Sequence, residues 1–567
     1  MMQLNRFIRI LKSRCSTLVA TAIGLVFGTA FAGPWNILPW NTSWLNGKGD
    51  GSSNQLVFQF FRQTPFLQWP LTAIPNYVAG ANTVNPDGNA LFSIGAKFVG
   101  LFVPGQFQYF GFLILLWFAL QGLFAERLLS RFIDDPLIRI IGAMFFLIAP
   151  ALIYRISPMH HFHVAAHWMI LAAFYLYFDS RPRSKSWAIL NAIAISVNIY
   201  IAVIVIAIFI VSLGSVVMTF RPSLLREKAM IAIRFSTVPI AASCGSFILS
   251  GYLSYASNSV GTGSYRLNLF TFLSPGDSRA SLYTHVLDKI APITSILRTD
   301  YWENYQYLGL GVVLAIPILV VAIYRNRFQF SKDRWLPIFI MCTLLFIFSL
   351  SNKISIDGSD VALHYWWPEF ILNLRQIFRA AGRFGFALYY MIMMGSFISI
   401  SRVFSRKSAT VLLTSLLLVS VVDVMPILRR SHSELSSIVQ SESSLMDYRW
   451  DSIAVNHSKL VIDANFDIQS EGEDSPGAVK FILTWFDLAQ FAVDHHMSTN
   501  FGYVSRPIEE FIKSEDDRVA QELSSGKLDP EAIYLVSNRA DWLTYQKKIG
   551  SRGQAFELDG FFVIAGK

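Results

Sequence analysis

Apolar runs about long enough to cross a bilayer recur at 16–33, 106–125, 137–154, 164–179, 186–197, 199–220, 229–251, 306–324, 335–350, 384–402 and 409–427. A bilayer core takes about 20 helical residues. The short loops between these runs carry the bases: AERLLSRF from Ala125, SRPRSKS from Ser180, FRPSLLREK from Phe220, YRNRFQFSKDR from Tyr324 and SRVFSRK from Ser401. Lys and Arg in short loops stay on the cytoplasmic side, and the basic start MMQLNRFIRILKSR belongs there too. Holding every basic loop inside forces the apolar stretch 186–220 to go out and come back. It is therefore two short helices with a turn near Val197-Asn198-Ile199-Tyr200. The pattern predicts an α-helical polytopic membrane protein with about 11 transmembrane helices. Its N-terminus is cytoplasmic, and its long segments 34–105, 252–305 and 351–383 are external. Residues 1–32 also carry signal-peptide features, with an A-x-A site at Ala30-Phe31-Ala32. The external side is the same under either reading.

After Arg430 the rhythm shortens to strand length, in LVIDANF from Leu460, AIYLVSN from Ala532 and FELDGFFVIAG from Phe556. A helical stretch, FILTWFDLAQFAV, starts at Phe481. Residues 431–567 carry a net charge of −10, against +19 for residues 1–430. The expected domains are thus 1–430, a transmembrane domain, and 431–567, a small soluble α/β domain on the external side. Overall the chain of 567 residues is 53% hydrophobic and 15% charged, which excludes an ordinary soluble enzyme. The basic excess sits in loops facing an anionic leaflet, so it implies membrane lipids as a partner and no nucleic acid. Cys15, Cys244 and Cys342 lie in or beside apolar runs without metal-type spacing and read as buried small hydrophobes. There is no P-loop, no C-x-x-C and no G-x-S-x-G.

Unusual polar residues collect in the external segments. Asp50, between Gly49 and Gly51, is the only acidic residue before Asp87, which lies in NPDGN. Either can be a plain turn residue. The stretches behind them, LVFQFFRQTPFLQWP with Arg62 and ALFSIGAKFVGLF with Lys97, are apolar enough to lie in the membrane interface. Arg266 and Glu303 sit in aromatic surroundings, and Glu303 also reads as a residue at the start of the next span. Arg375, Arg379 and Arg383 have spacing four, which on a helix makes one cationic stripe. Arginines on the external side go against the positive-inside rule, and an anionic ligand such as phosphate gives them a reason to be there. PMHHFHVAAHW groups His160, His161, His163 and His167. The i,i+4 pair His163/His167 suits a shared metal, a polar substrate-facing cluster or plain packing.

In this order the clusters resemble the polytopic glycosyltransferases of the GT-C type, and more closely a bacterial family of GT-C-like integral membrane proteins. The matching stretches are GDGSSNQLVFQFFRQTPFLQWPLTAIPNY, DGNALFSIGAK, RISPMHHFHVAAHWMILAAFYLY with Arg155 and His167, GTGSYRLNLFTFLSP, YWENYQYLGLG and FRAAGRFGFALYY. The likeness covers most of residues 34–405. Two motifs depart from the family pattern: an H-P-Y element is here Asn198-Ile199-Tyr200, and the Ser and Pro of a D-S-x-P-L block are Gly88 and Ala90.

The resemblance implies a bacterial inner-membrane enzyme that transfers a sugar from a polyprenyl-phosphate-linked donor to a glycan or lipid acceptor on the external face, usually with inversion. Inversion needs a base for the acceptor proton, which falls to Asp50, with Asp87 second. Arg379 and Arg383, backed by Arg266, would hold the phosphate leaving group, and Glu303 a sugar hydroxyl. Arg62, Lys97, His163 and His167 are further substrate-binding candidates. No motif demands a cofactor; a divalent cation (Mg or Mn) on Asp50 and Asp87 is the one that the chemistry admits. The rivals are a transporter or flippase of lipid-linked glycan precursors and a non-catalytic envelope assembly protein. A transporter needs ionisable groups at mid-membrane, and the ionisable residues of the predicted spans, such as Arg234 and Asp423, lie near an end.

Overall fold

The computed structural model describes residues 2–46, 49–78, 80–84, 89–103, 105–179, 181–220, 224–253, 265–274, 281–283, 305–325, 331–356, 361–437, 443–466, 476–502 and 509–567. Asp87 and Glu303 lie outside the described residues. All eleven apolar runs fall on helices. Seven are long and apolar enough to cross a membrane: Arg14–Ala32, Phe110–Leu129, Ile199–Met218, Leu225–Leu249, Lys332–Leu350, Ala381–Val403 and Arg406–Ser436. An eighth arises if Pro136–Leu147 and Pro150–Ile156, bent by 42°, form one broken span. The helices Trp168–Tyr177, Ser184–Val197 and Leu310–Tyr324 have 10, 14 and 15 residues, short of a full crossing.

The expected break within 186–220 is a single residue. Asn198 is extended, and its side-chain oxygen accepts from the backbone N–H of Tyr200 and Ile201 at 3.1 and 3.3 Å. It ends Ser184–Val197 and caps Ile199–Phe220. Cys342 is buried as expected, whereas Cys15 and Cys244 are exposed on the surfaces of their membrane helices.

Charge within the bundle is turned inward. Glu126, fully buried, accepts from Ser16 Oγ at 2.7 Å and Thr17 Oγ1 at 2.6 Å, and pairs with Arg139 Nε at 2.9 Å. Arg139 also donates to Ser16 Oγ at 2.9 Å. One carboxylate thus pins the first helix, Phe110–Leu129 and Pro136–Leu147 together. Nearby, Gly24 lets the first helix approach closely, since a Cβ there would lie 2.3 Å from the carbonyl oxygen of Phe118. Asp423, buried in Arg406–Ser436, accepts from Tyr307 Oη and the backbone N–H of Leu310, both at 2.9 Å, from the N–H of Tyr283 at 3.3 Å, and from Ser281 Oγ. It thereby caps the helix that begins at Leu310. Arg234 is exposed on its helix.

The chain forms two compact units: residues 1–41, 109–246 and 259–437, and residues 42–108, 247–258 and 438–567. The second holds a five-stranded sheet in the order Ser498–Thr499, Lys459–Ile462, Ala532–Val536, Phe561–Gly566, Gly553–Leu558. Its first three strands are parallel and the last two antiparallel. Tyr534, Val536, Val519, Leu523 and Trp542 fill the core on one face. Helix Pro476–Asp494 packs on Asp50–Gln63, and Gln63 Nε2 donates to the carbonyl of Val493 at 2.6 Å.

Removing one member of a buried ion pair strands the other. Glu126→Gln should cost about 3–5 kcal/mol of stability, read as a fall in the unfolding temperature of the detergent-purified protein. The double variant Glu126→Gln/Arg139→Met should recover most of that loss.

Candidate functional site

Asp50 is the first residue of a 14-residue helix, Asp50–Gln63, entered through Gly49 at φ 49°. The glycine supplies a left-handed conformation at the point of entry. The half-buried carboxylate of Asp50 sits at the helix N-terminus, a favourable place for negative charge. Every residue from Gly51 to Phe61 is buried, so the expectation of an interface-lying segment does not hold here. Ser52 Oγ donates to the carbonyl of Leu45 at 2.7 Å, and the Gln55 and Gln59 amides donate to the carbonyl of Phe107 at 3.2 and 2.9 Å. Leu56, Val57, Phe58, Phe60 and Phe61 gain by going inside, and these bonds offset the cost of taking the polar groups with them.

Arg62 and Lys97 gather at the far end of that helix. Twelve residues at 1.5 Å rise separate Asp50 from Arg62 by roughly 18 Å, so the structure keeps them apart. Arg62 donates to Gln59 Oε1 at 3.1 Å and the carbonyl of Gly105 at 2.9 Å, and its guanidinium lies 4.3 Å from the centre of the Phe107 ring. Lys97 Nζ donates to Thr64 Oγ1 at 2.7 Å and the carbonyl of Pro65 at 3.0 Å, over the Phe61 ring at 4.2 Å. Both cations clamp the chain around the helix end. Burial brings the Lys97 ammonium down to about 8.

The arginine trio is not one helical stripe. Helix Glu369–Ile377 stops before Arg379, and Ala381–Gly385 forms a 3-10 turn. The AAGRFG sequence permits the turn, and tertiary bonds fix it. The N–H of Gly382 donates to the carbonyl of Tyr265 at 3.0 Å, and that of Ala380 to Tyr200 Oη at 3.2 Å. At Gly385 a Cβ would lie 2.5 Å from Gln306 Oε1. The three guanidiniums therefore separate. Arg379 lies over the Tyr265 ring at 5.2 Å, and the buried Arg383 over Tyr200 at 4.7 Å. Arg375 turns inward and donates to Ser351 Oγ.

Arg375 has a neighbour of like charge, Arg266, whose Nε and Nη2 donate to Ser355 Oγ at 2.9 and 2.8 Å. Arg375 is buried, its Nε has no hydrogen-bond partner, and no carboxylate faces it among the described residues. Burial, with Arg266 beside it, lowers its guanidinium to about 10. Each guanidinium is held on a serine hydroxyl, Arg375 on Ser351 and Arg266 on Ser355. Spacing alone singled out the trio; the pairing with Arg266 depends on a fold-dependent approach of residues 109 apart, and only the two serines just after a span hint at it.

The histidines are enclosed. His163 and His167 are buried and precede the helix Trp168–Tyr177, so they do not share a helical face. Arg155, fully buried, donates to His161 Nδ1 at 3.3 Å. His167 Nδ1 and Tyr390 Oη share a hydrogen bond of 2.7 Å, and Gln121 Nε2 donates to the same hydroxyl at 3.3 Å. Trp117 Nε1 holds the loop by donating to the carbonyl of Phe162 at 2.7 Å. Among the described residues no group of three or more His, Cys, Asp or Glu side chains is placed to hold a metal, so no step below is routed through a cation.

Lys97 generates a pH prediction. Its folded value of about 8 lies below the ordinary 10.5, so between these values the unfolded chain holds a proton that the folded protein has released. Stability should therefore rise with pH across that window. Unfolding temperatures measured at pH 8 and pH 10 should show this increment in the wild type, and Lys97→Met should lack it.

No curated protein matches the chain. The crystal structure of the Archaeoglobus fulgidus oligosaccharyltransferase in the apo form is similar at 12% sequence identity and a TM-score of 0.43, covering 92% of this chain and 69% of that one. A family model described as a domain of unknown function, DUF6311, matches residues 21–425, and the model of the DUF6311 C-terminal domain matches residues 449–566. The chain belongs to the DUF6311 family.

Proposed function

We propose that this chain is an inverting membrane glycosyltransferase of the bacterial inner membrane. It takes a sugar from a polyprenyl-phosphate-linked donor and passes it to a surface glycan or lipid acceptor on the external face, with the N-terminus cytoplasmic. The observation that carries the reading is Arg375, a buried guanidinium with an open Nε beside Arg266. A buried guanidinium with an open Nε calls for an anion, and a phosphate leaving group gains negative charge as its bond to the sugar breaks. Arg379 and Arg383 follow in the same segment and, held apart from Arg375 over the Tyr265 and Tyr200 rings, are proposed as further contacts to the donor.

In the proposed step the acceptor oxygen attacks the anomeric carbon as the bond from that carbon to the phosphate oxygen breaks. The acceptor's proton passes to the Asp50 carboxylate, and the polyprenyl phosphate leaves with the bonding electrons. Asp87 is the second acid, and Glu303 positions a sugar hydroxyl. The alternative of a transporter or flippase of lipid-linked glycan precursors receives little support, because Glu126 and Asp423, the buried carboxylates of the bundle described above, are occupied by structural partners.

A deletion strain should accumulate one lipid-linked sugar and lose the matching residue from a surface glycan or lipid. Wild-type protein should restore both profiles, whereas Asp50→Asn, present at wild-type level in the membrane, should restore neither. Restoration by Asp50→Asn would remove the base assignment; an unchanged donor profile in the deletion strain would remove the reaction. Arg375→Lys keeps a charge but loses the fork. With about 1.5–3 kcal/mol for a charged hydrogen bond, transfer in reconstituted vesicles should fall roughly 10- to 150-fold.

A further inference from the structure

Two helices of the predicted external segments are built inside out. In Ala90–Val99, Ser93 and Lys97 are buried while Leu91, Phe98 and Val99 are exposed. Leu101 and Phe102, 65% and 74% exposed, continue the same apolar surface. The Phe98 ring lies 5.7 Å from Phe102 and 6.2 Å from Phe66, and beyond Phe66 come Leu67 at 84% and Trp69 at 67% exposure. In Glu369–Ile377 the pattern repeats. Arg375 points inward, and Phe370, Leu374 and Ile377, at i, i+4 and i+7, point outward behind the exposed Trp366. Against water both helices would place the cation outside and the rings inside.

Each inverted region is also tied to the end of a membrane helix. Thr72 Oγ1 donates to the carbonyl of Ser250 at 3.0 Å, and Asn82 Nδ2 to that of Gly251 at 3.3 Å. These two residues directly follow Leu225–Leu249. A Cβ on Gly251, at φ +82°, would sit 2.2 Å from Asn82 Nδ2, so the two-stranded hairpin of Ala73–Ile74 and Ala81–Asn82 packs closely on Gly251. Arg375 bonds Ser351, the first residue after Lys332–Leu350. Under the predicted topology both of these ends are external.

We infer that the bilayer covers these faces: the apolar sides of Ala90–Val99, with Leu67, Trp69 and Phe102, and of Glu369–Ile377 lie in the external leaflet at the boundary of headgroups and acyl chains. Tryptophan and phenylalanine at that depth, with the cations turned into the protein, match the chemistry of an interfacial helix. The same placement keeps Arg375 at headgroup height, within reach of an anion carried on a lipid.

Single cysteines at Val99, Phe102, Phe370 and Leu374, in a full-length background lacking Cys15, Cys244 and Cys342, can be spin-labelled and reconstituted in phospholipid nanodiscs. Collision with oxygen should exceed collision with a water-soluble nickel complex at all four, at an immersion of about 5–10 Å, and the order should reverse at Gln521. Nickel-dominated collisions at the four sites would place these faces in water, and protection from both reagents would mean a protein cover. Either result overturns the inference. The readout needs no transfer activity, so its outcome is separate from that of the proposed reaction.

Discussion

A protein surrounded by hydrocarbon has no solvent to which a charge can be surrendered, and that constraint organises the whole chain. Glu126 shows its plainest form: one carboxylate answers a guanidinium and two hydroxyls, and three helices meet there. Asp423 does the same for the entry of a later helix, taking up backbone N–H groups that the helix start would otherwise leave open. Pairs of this kind add little net stability over an apolar core, but they admit few alternative arrangements of the helices around them.

The same constraint shapes the candidate chemistry. Lys97 and Arg62 spend their charge on carbonyl groups and aromatic rings within the fold. Arg375 is held instead on a serine hydroxyl, which orients a guanidinium without neutralising it. Cations of the first kind shape the protein; one of the second kind is what the proposed reaction calls on. Asp50 stands apart from both, held by a glycine entry at the head of a polar helix.

Much of this was legible in the sequence because hydrophobic runs and basic loops are one-dimensional signals. The apolar helices, the break at Asn198 and a sheet in the C-terminal segment follow from run length, a single amide and strand-length runs, whereas seven or eight of the helices, not eleven, are long enough to cross a membrane. Three features were misread for identifiable reasons. The arginine trio has helical spacing, yet the glycines and tertiary bonds of Ala381–Gly385 end the helix. Asp50–Gln63 looks interfacial by its aromatics, but Ser52, Gln55 and Gln59 find backbone partners that let the whole helix be buried. The Glu126–Arg139 pair escaped notice because each residue sits at the edge of an apolar run, where a charge normally means a loop. Periodicity reveals that a helix has two faces, and the medium outside decides which face is turned inward.

Helix Asp50–Gln63 has one further consequence, which concerns time. Its cover, the helix Pro476–Asp494, is bonded to it across a separation of 430 residues. At about 5–20 residues per second of synthesis, the polar helix leaves the ribosome roughly 20–90 s before its partner exists. Throughout that interval a segment destined for a protein interior lacks one of the helices that bury it. The order of synthesis thus makes the last part of the chain the element that closes the first, and a product truncated before residue 476 would lack the lid for the segment that carries Asp50.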